Sequence, residues 1–284
     1  MTGTEFTTVN LWIAEDREPN LAEVLGSHAT LGSMLGSVFE GRVEATIYLD
    51  SSQEPVIPSL LQDLEGLACS ELRVGTLPGQ DWLKAYRERV KPFSLGRTWW
   101  IDPHPQMPSQ APKGRLRLVI EPRMAFGTGS HESTHLVLLE LEDDPPEGLS
   151  VMDIGTGSGI LALAAERLGA VRTVGLDIDL QAVIVARQIV ADQDFACSPG
   201  YLAGPLAAVG RGEFSLVLCN MISEHFRPLI AGIRRIMTAE GTAVFSGVLA
   251  KEAEEVSLAL EKGGLRVEKT RHLHDWVALR VRRG

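Results

Sequence analysis

The chain has 284 residues, 44% of them hydrophobic, and a formal net charge of −10. That length accommodates one large domain and one small one, and no apolar run reaches the ~18 residues that a membrane span needs. The opening MTGTEFTTVN lacks the basic and apolar regions of a signal peptide. Cys69, Cys197 and Cys219 are too scattered for a metal site or a disulfide framework, so a cytoplasmic protein with reduced thiols is expected.

Residues 1–75 hold 12 acidic residues against Arg17, Arg42 and Arg73, a balance of −9, while the rest of the chain is nearly neutral. An acidic piece disfavours nucleic acid and suits a basic protein partner. Its pattern reads as a strand over 6–14, a glycine-broken helical stretch over 19–35 and a strand over 39–49. A short helix over 58–67 and a strand over 72–77 follow. Strands mixed with two helices point to a small α/β sandwich of ferredoxin-like type. It carries no chemical motif, which makes residues 1–77 a candidate recognition domain. Pro78 and Gly79 mark its boundary, and DWLKAYRERV over 81–90 reads as a helix within a linker of residues 78–96.

Residues 97–284 form the expected second domain. RTWWI (97–101) reads as a strand, DPHPQMPSQAPKG as a proline-rich loop, and 116–120 as another strand. MAFGTGSHESTHLVLLEL (124–141) is a glycine turn entering a helix. The stretch VMDIGTGSGILALAAERLGAVRTVGLDID (151–179) is the most informative in the chain. Val151, Met152 and Ile154 suit a strand buried on both faces. Gly155, Gly157 and Gly159 allow a tight turn and close approach to a ligand. Residues 160–168 have helical composition, and 171–176 form a second strand ending at Asp177. This is a βαβ unit with an acid about 20 residues beyond the glycines, placed to accept a ribose hydroxyl pair.

The glycine order is G-x-G-x-G rather than the dinucleotide G-x-G-x-x-G, and Asp153 stands two residues before the first glycine. An acid there would repel a pyrophosphate and suits a cationic ligand. S-adenosylmethionine, with a ribose, an ammonium and a sulfonium, meets both requirements. Downstream, a helix is expected over 180–191, and strands over 201–203, 214–219, 242–248, 265–270 and 276–281. Two more helices are expected over 224–237 and 251–262. Seven strands alternating with helices argue for a seven-stranded doubly wound, Rossmann-like sheet, with Gly155, Asp177 and Asn220 at strand C-termini where ligands bind.

A competing motif lies at 131–135. His131-Glu132-Ser133-Thr134-His135 fits H-E-x-x-H, in which two helix-borne histidines bind zinc and the glutamate acts as base. No third ligand is placed by the sequence, so no metal is assigned. His135 reads equally as a histidine without a ligand. Trp82, Trp99, Trp100 and Trp276 could line an acceptor channel, or simply pack.

Taken together, FGTGSHESTHL, DIGTGSGILALAA, GLDIDLQAV, the Asn220–Ile222 run and the closing DWVALRVRR resemble the PrmA-type methyltransferases, over most of residues 81–284. The resemblance implies S-adenosylmethionine as cofactor. It also implies methyl transfer to lysine or N-terminal amino groups of large-subunit ribosomal protein eleven, gripped by the N-terminal domain. Cofactor contacts carry over to Thr134, Gly155, Asp177 and Asn220. Phe126, Gly127, Thr128 and His131 fall in the loop that folds over the methionine moiety. Asn220 would orient the ligand or the amine, as a positioner rather than a base. Two departures stand near the reacting end: Glu132 where the family usually has proline, and Met221-Ile222 where it usually has Ile-Leu. They leave open another protein or a small molecule as acceptor. A binding scaffold that lacks catalysis is the third reading, disfavoured by the intact Gly155, Gly157, Asp177 and Asn220.

Overall fold

The computed structural model describes residues 5–28, 30, 32–50, 55–78, 91–104, 111–119, 131–191 and 199–284. The chain divides into two compact units, Met1–Arg89 and Val90–Gly284. The expected linker helix over 81–90 and Phe126, Gly127 and Thr128 lie outside the described residues.

In the first unit the order is β1 (Glu5–Ala14), α1 (Glu18–Ser27), β2 (Gly32–Phe39), β3 (Arg42–Asp50), α2 (Ile57–Gly66) and β4 (Ser70–Pro78). The strands form one antiparallel sheet in the order β2-β3-β1-β4. Alternate residues Val9, Leu11 and Ile13 of β1 and Val43, Ala45, Ile47 and Leu49 of β3 share one face, as the two-residue period requires. They are buried with Leu21 of α1 and Leu60 and Leu64 of α2. Both helices open on a proline in the first turn, where a missing N–H costs nothing.

The helical stretch expected over 19–35 is shorter than the sequence suggests. Helix α1 stops at Ser27, and the residues from Gly32 pair with β3 as an edge strand. Gly26, Gly32 and Gly36 weaken a helix, and the ladder with β3 supplies the hydrogen bonds instead. Glu40 (φ 50°) and Gly41 (φ 72°) make the two-residue turn between β2 and β3, where both positions need the left-handed region.

The second unit begins with a three-stranded sheet: β5 (Phe93–Leu95), β6 (Trp99–Asp102) and β7 (Leu116–Val119). Then come α3 (Glu132–Asp143), β8 (Ser150–Ile154), α4 (Ile160–Arg167), β9 (Arg172–Asp177), α5 (Leu180–Ala191), β10 (Gly200–Ala203) and β11 (Phe214–Asn220). The chain closes with α6 (Ser223–Phe226), α7 (Ile230–Ile236), β12 (Met237–Leu249), α8 (Ala253–Lys262), β13 (Leu265–Leu273) and β14 (Trp276–Arg283). The helix expected over 224–237 is thus broken, at the turn holding Pro228, and Met237 already belongs to β12.

The large sheet runs β10-β9-β8-β11-β12-β14-β13. Its first five strands are parallel, and β14 is antiparallel to both β12 and β13. Helices α3, α4 and α5 bury one face with Val151, Leu216 and Leu218. Helices α7 and α8 bury the other with Met152, Val217 and Phe245. From β8 the chain winds outward to β9 and β10, then returns to lay β11 on the other side of β8. This reversal opens a crevice beyond the strand C-termini, between Ile154 and its register neighbour Cys219.

Helix α3 is clamped to the rest of its unit by acids along its second half. Glu142 accepts the backbone N–H groups of Arg97 (2.8 Å) and Thr98 (2.6 Å). The buried Glu140 meets Lys269 (2.9 Å) and Arg271 (2.5 Å), and Asp143 also binds Arg271. Trp99 is fully buried and its indole N–H donates to Leu138 O (2.9 Å), so it packs in the core and lines no channel. Trp82 lies outside the described residues.

Candidate cofactor and methyl-transfer site

The glycine turn follows β8 directly. Gly155, Gly157 and Gly159 have φ of 68°, 52° and 82°, values that a side chain would strain. The turn leans on the end of β9: Gly155 N–H (2.8 Å) and Thr156 N–H (3.1 Å) both donate to Leu176 O, and Gly159 N–H donates to Thr156 O (2.8 Å).

Asp153 lies beneath the turn and is 1% exposed. Its Oδ2 accepts Thr156 Oγ1–H (2.6 Å) and Ala162 N–H (3.2 Å), tying the turn to the first turn of α4. Such burial leaves Asp153 acting through the turn. Burial pushes its carboxyl up to about 6, the Thr156 and Ala162 bonds oppose that, and Asp177 adds to it. A carboxyl raised in the folded state favours folding below its unfolded pKa, and that contribution disappears as pH rises through the folded value. The window is pH ~4 to 6, and the shift is worth about 3 kcal/mol. The stability of Asp153→Asn relative to the parent will therefore rise across this window, read by urea unfolding at pH 4.5, 5.5 and 7. A flat difference would contradict the buried-carboxyl reading.

Asp177 ends β9 and is half-buried. Its Oδ2 accepts Gly157 N–H (3.0 Å) and its Oδ1 accepts Asp179 N–H (3.0 Å). Each carboxylate oxygen keeps a further lone pair, so the oriented group presents two acceptors. Ile178, the next residue, is 85% exposed. A large apolar side chain held in the open beside Asp177 is a feature that reading Asp177 alone misses.

Across the crevice, Asn220 ends β11 and its Nδ2 donates to Thr134 Oγ1 (3.1 Å) in the first turn of α3. Asn220 Oδ1 is buried with no partner among the described residues, and Thr134 is fully buried. Met221 reaches back to the glycine turn, where a Cβ on Gly155 would lie 2.5 Å from its Sδ. The departure at Met221 therefore sits under the turn.

His131 caps α3 from outside it, with extended dihedrals (φ −79°, ψ 140°) and Nδ1 accepting Ser133 N–H (3.2 Å). Its ring meets Trp276 edge-on, 4.7 Å between centroids, and burial lowers its pKa, with Glu132 opposing and His135 adding. The H-E-x-x-H reading requires both histidines on one helical face. His131 is not helical, its Nδ1 is engaged in the cap, and His135 packs against Phe93 at 5.7 Å. Glu132 faces His274, at 3.6 Å. Among the described residues no cluster of three metal-ligating side chains exists.

The donor set states what the crevice accepts. A phosphate site offers free turn amides, but here the N–H groups of Gly155, Thr156, Gly157 and Gly159 all donate to protein acceptors. What is offered instead is acceptors: the remaining lone pairs of Asp177 and the unpartnered Oδ1 of Asn220. Acceptors fit a ligand with ribose hydroxyls and a cationic amine, and S-adenosylmethionine is such a ligand.

A doubly wound sheet with this acceptor-lined turn at its switch point defines an S-adenosylmethionine-dependent methyltransferase. The family model "Ribosomal protein L11 methyltransferase (PrmA)" matches residues 26–284, and the chain belongs to that family. A ribosomal protein L11 methyltransferase of Pelobacter propionicus is 36% identical over 230 residues, 79% of this chain and 74% of the relative. One of Hydrogenovibrio crunogenus is 29% identical over 289 residues, 96% of this chain and 95% of the relative. The solved structure of ribosomal protein L11 methylase from Lactobacillus delbrueckii subsp. bulgaricus superposes with a TM-score of 0.63 at 27% identity, over 68% of this chain and 99% of that one. The family replaces the zinc-hydrolase alternative.

Proposed function

We propose that the protein methylates amino groups of ribosomal protein L11, using S-adenosylmethionine bound beyond the C-termini of β8, β9 and β11. The observation that carries this is the acceptor set at the switch point, in a chain of the L11 methyltransferase family. In this reading Asp177 holds the ribose hydroxyls and Ile178 supplies an apolar surface for the base. Gly155, Gly157 and Gly159 let the backbone approach closely. Asp153 fixes the turn, and Thr134 fixes Asn220, which orients the amine. Phe126, Gly127, Thr128 and His131 belong to the segment that covers the methionine end.

When bound, S-adenosylmethionine supplies an electrophilic methyl group. The chain supplies alignment, the larger part of such a displacement. Asn220 has no useful pKa and accepts an N–H rather than removing a proton. A lysine amine of pKa ~10.4 must lose its proton to solvent first, at about 4.6 kcal/mol at pH 7, whereas an α-amino group near 7.7–8.0 needs only about 1–1.4 kcal/mol. The first unit recognises the basic substrate through its acidic surface and the second performs the transfer. The linker expected over 78–96 is shorter at its end, because Phe93–Leu95 already pairs with β6 in the second unit. A cytoplasmic location belongs to the same reading.

The test is mass mapping of L11 after reaction across pH 6.5 to 9. Lysine methylation will climb close to tenfold per pH unit, and α-amino methylation will level off near pH 8. Methylation elsewhere than on amines would overturn the acceptor class.

A further inference from the structure

Ser246 and Gly247 interrupt the ladder between β12 and β14, where the register slips between Phe245 and Val248. A bulge at a strand's end re-aims the chain that follows and is common beside active sites. This one lies next to the crevice, because Ser246 pairs in register with Asn220 of β11.

Ser246 is fully buried and makes two directed bonds. Its carbonyl accepts Met221 N–H (3.2 Å), and its Oγ–H donates to Ser133 O (2.8 Å). Ser133 precedes Thr134, whose hydroxyl receives the Asn220 amide at 3.1 Å. The bonds close a circuit from β12 to α3 through Ser133, from α3 to β11 through Thr134, and from β11 back to β12 through Met221. Carbonyls in the first turn of a helix already serve the helix ladder, and only the N–H groups there are orphaned. The Ser246 bond is therefore surplus to helix formation, and what it controls is where Thr134 stands. Among the described residues, the buried Oδ1 of Asn220 is a side-chain atom of the circuit without a hydrogen-bond partner.

We propose that Ser246 is a positioning residue for methyl transfer. Through Ser133 and Thr134 it fixes the Asn220 carboxamide against the incoming amine. The inference rests on the reading of Asn220 given above. A displacement on the ångström scale at a reacting group costs rate far more than binding.

The experiment is a double-mutant cycle on the full-length protein with purified L11 and S-adenosylmethionine. Ser246→Ala is expected to lower kcat about tenfold, while KM for L11 and the cofactor dissociation constant stay within about twofold. In an Asn220→Ala background the same substitution is expected to lower kcat by less than about twofold, because the group it positions is gone. A tenfold loss in both backgrounds, or a loss carried by KM or cofactor affinity, would show a merely structural serine and overturn the proposal. Should Ser246→Ala fold poorly, the near-isosteric Thr134→Val breaks the same circuit and must show the same coupling to Asn220. An Asn220→Ala enzyme with parental kcat would overturn the reading of Asn220 itself, a distinct result from additivity.

Discussion

Asp177→Ala will weaken S-adenosylmethionine binding by at least about a hundredfold. Two hydrogen bonds from ribose hydroxyls to a carboxylate are worth about 1.5–3 kcal/mol each, and every ~1.4 kcal/mol is tenfold in affinity. The loss is compounded because the same carboxylate receives Gly157 N–H and Asp179 N–H. Removing it takes away one of the three bonds that tie the glycine turn to β9, those of Gly155 and Thr156 to Leu176 O remaining, and leaves two amides in need of partners. Asp177→Asn retains the shape and one acceptor, so it should fall between, at about tenfold. Isothermal titration of both variants decides the matter. A dissociation constant for Asp177→Ala within about fivefold of the parent would remove Asp177 from the cofactor site.

Gly247→Ala will be the most destabilising of the glycine substitutions at the crevice. Gly247 has φ 80°, and a Cβ there would lie 2.5 Å from Met221 O and 2.7 Å from Met221 C, both backbone atoms. Left-handed strain of about 1–2 kcal/mol adds to overpacking of about 1–3 kcal/mol. For a unit of this size that corresponds to a fall in Tm of roughly 5–15 °C. Gly155 offers an instructive contrast. Its added Cβ meets the Sδ and Cγ of Met221 at 2.5 and 2.8 Å, atoms of a flexible side chain and not of the backbone, so Gly155→Ala should keep the strain and relieve part of the clash by a rotamer change at Met221. Met221→Ala should accordingly relieve Gly155→Ala and do nothing for Gly247→Ala, because the second conflict is with backbone. Thermal melts of the four variants give the answer, and equal rescue of both glycine variants would contradict the geometry.

The contrast between these glycines also shows where sequence reading succeeds. Gly155, Gly157 and Gly159 are legible because a buried strand precedes them and an acid-terminated strand follows, a local pattern with one physical solution. Gly247 sits in a long apolar strand, and its need for glycine arises from Met221, a neighbour in space and not in sequence. The link from Asn220 to Thr134 spans 86 residues and that from Ser246 to Ser133 spans 113. No periodicity encodes such pairs. The helical reading of 19–35 takes in the first half of the edge strand Gly32–Phe39 for a related reason: the strand's hydrogen bonds come from β3, while its own composition is glycine-rich and indecisive. His131 shows the opposite failure, a local motif that matched too readily. Residues 131–135 satisfy H-E-x-x-H in letters, but the helix begins after His131, which spends its Nδ1 as a cap. The strands at 99–102 and 116–119 were legible as strands, and their membership of a separate small sheet was not, because pairing partners are a tertiary property.

The most direct measurement is label transfer from methyl-tritiated S-adenosylmethionine to a mixture of unmethylated ribosomal proteins, with the full-length protein and its Asp177→Ala variant side by side. Label concentrated on L11 with the parent and absent with the variant is the expected result. Cofactor binding by the parent with no label on L11 would contradict the assigned substrate, and label transferred equally by the variant would contradict the assigned site.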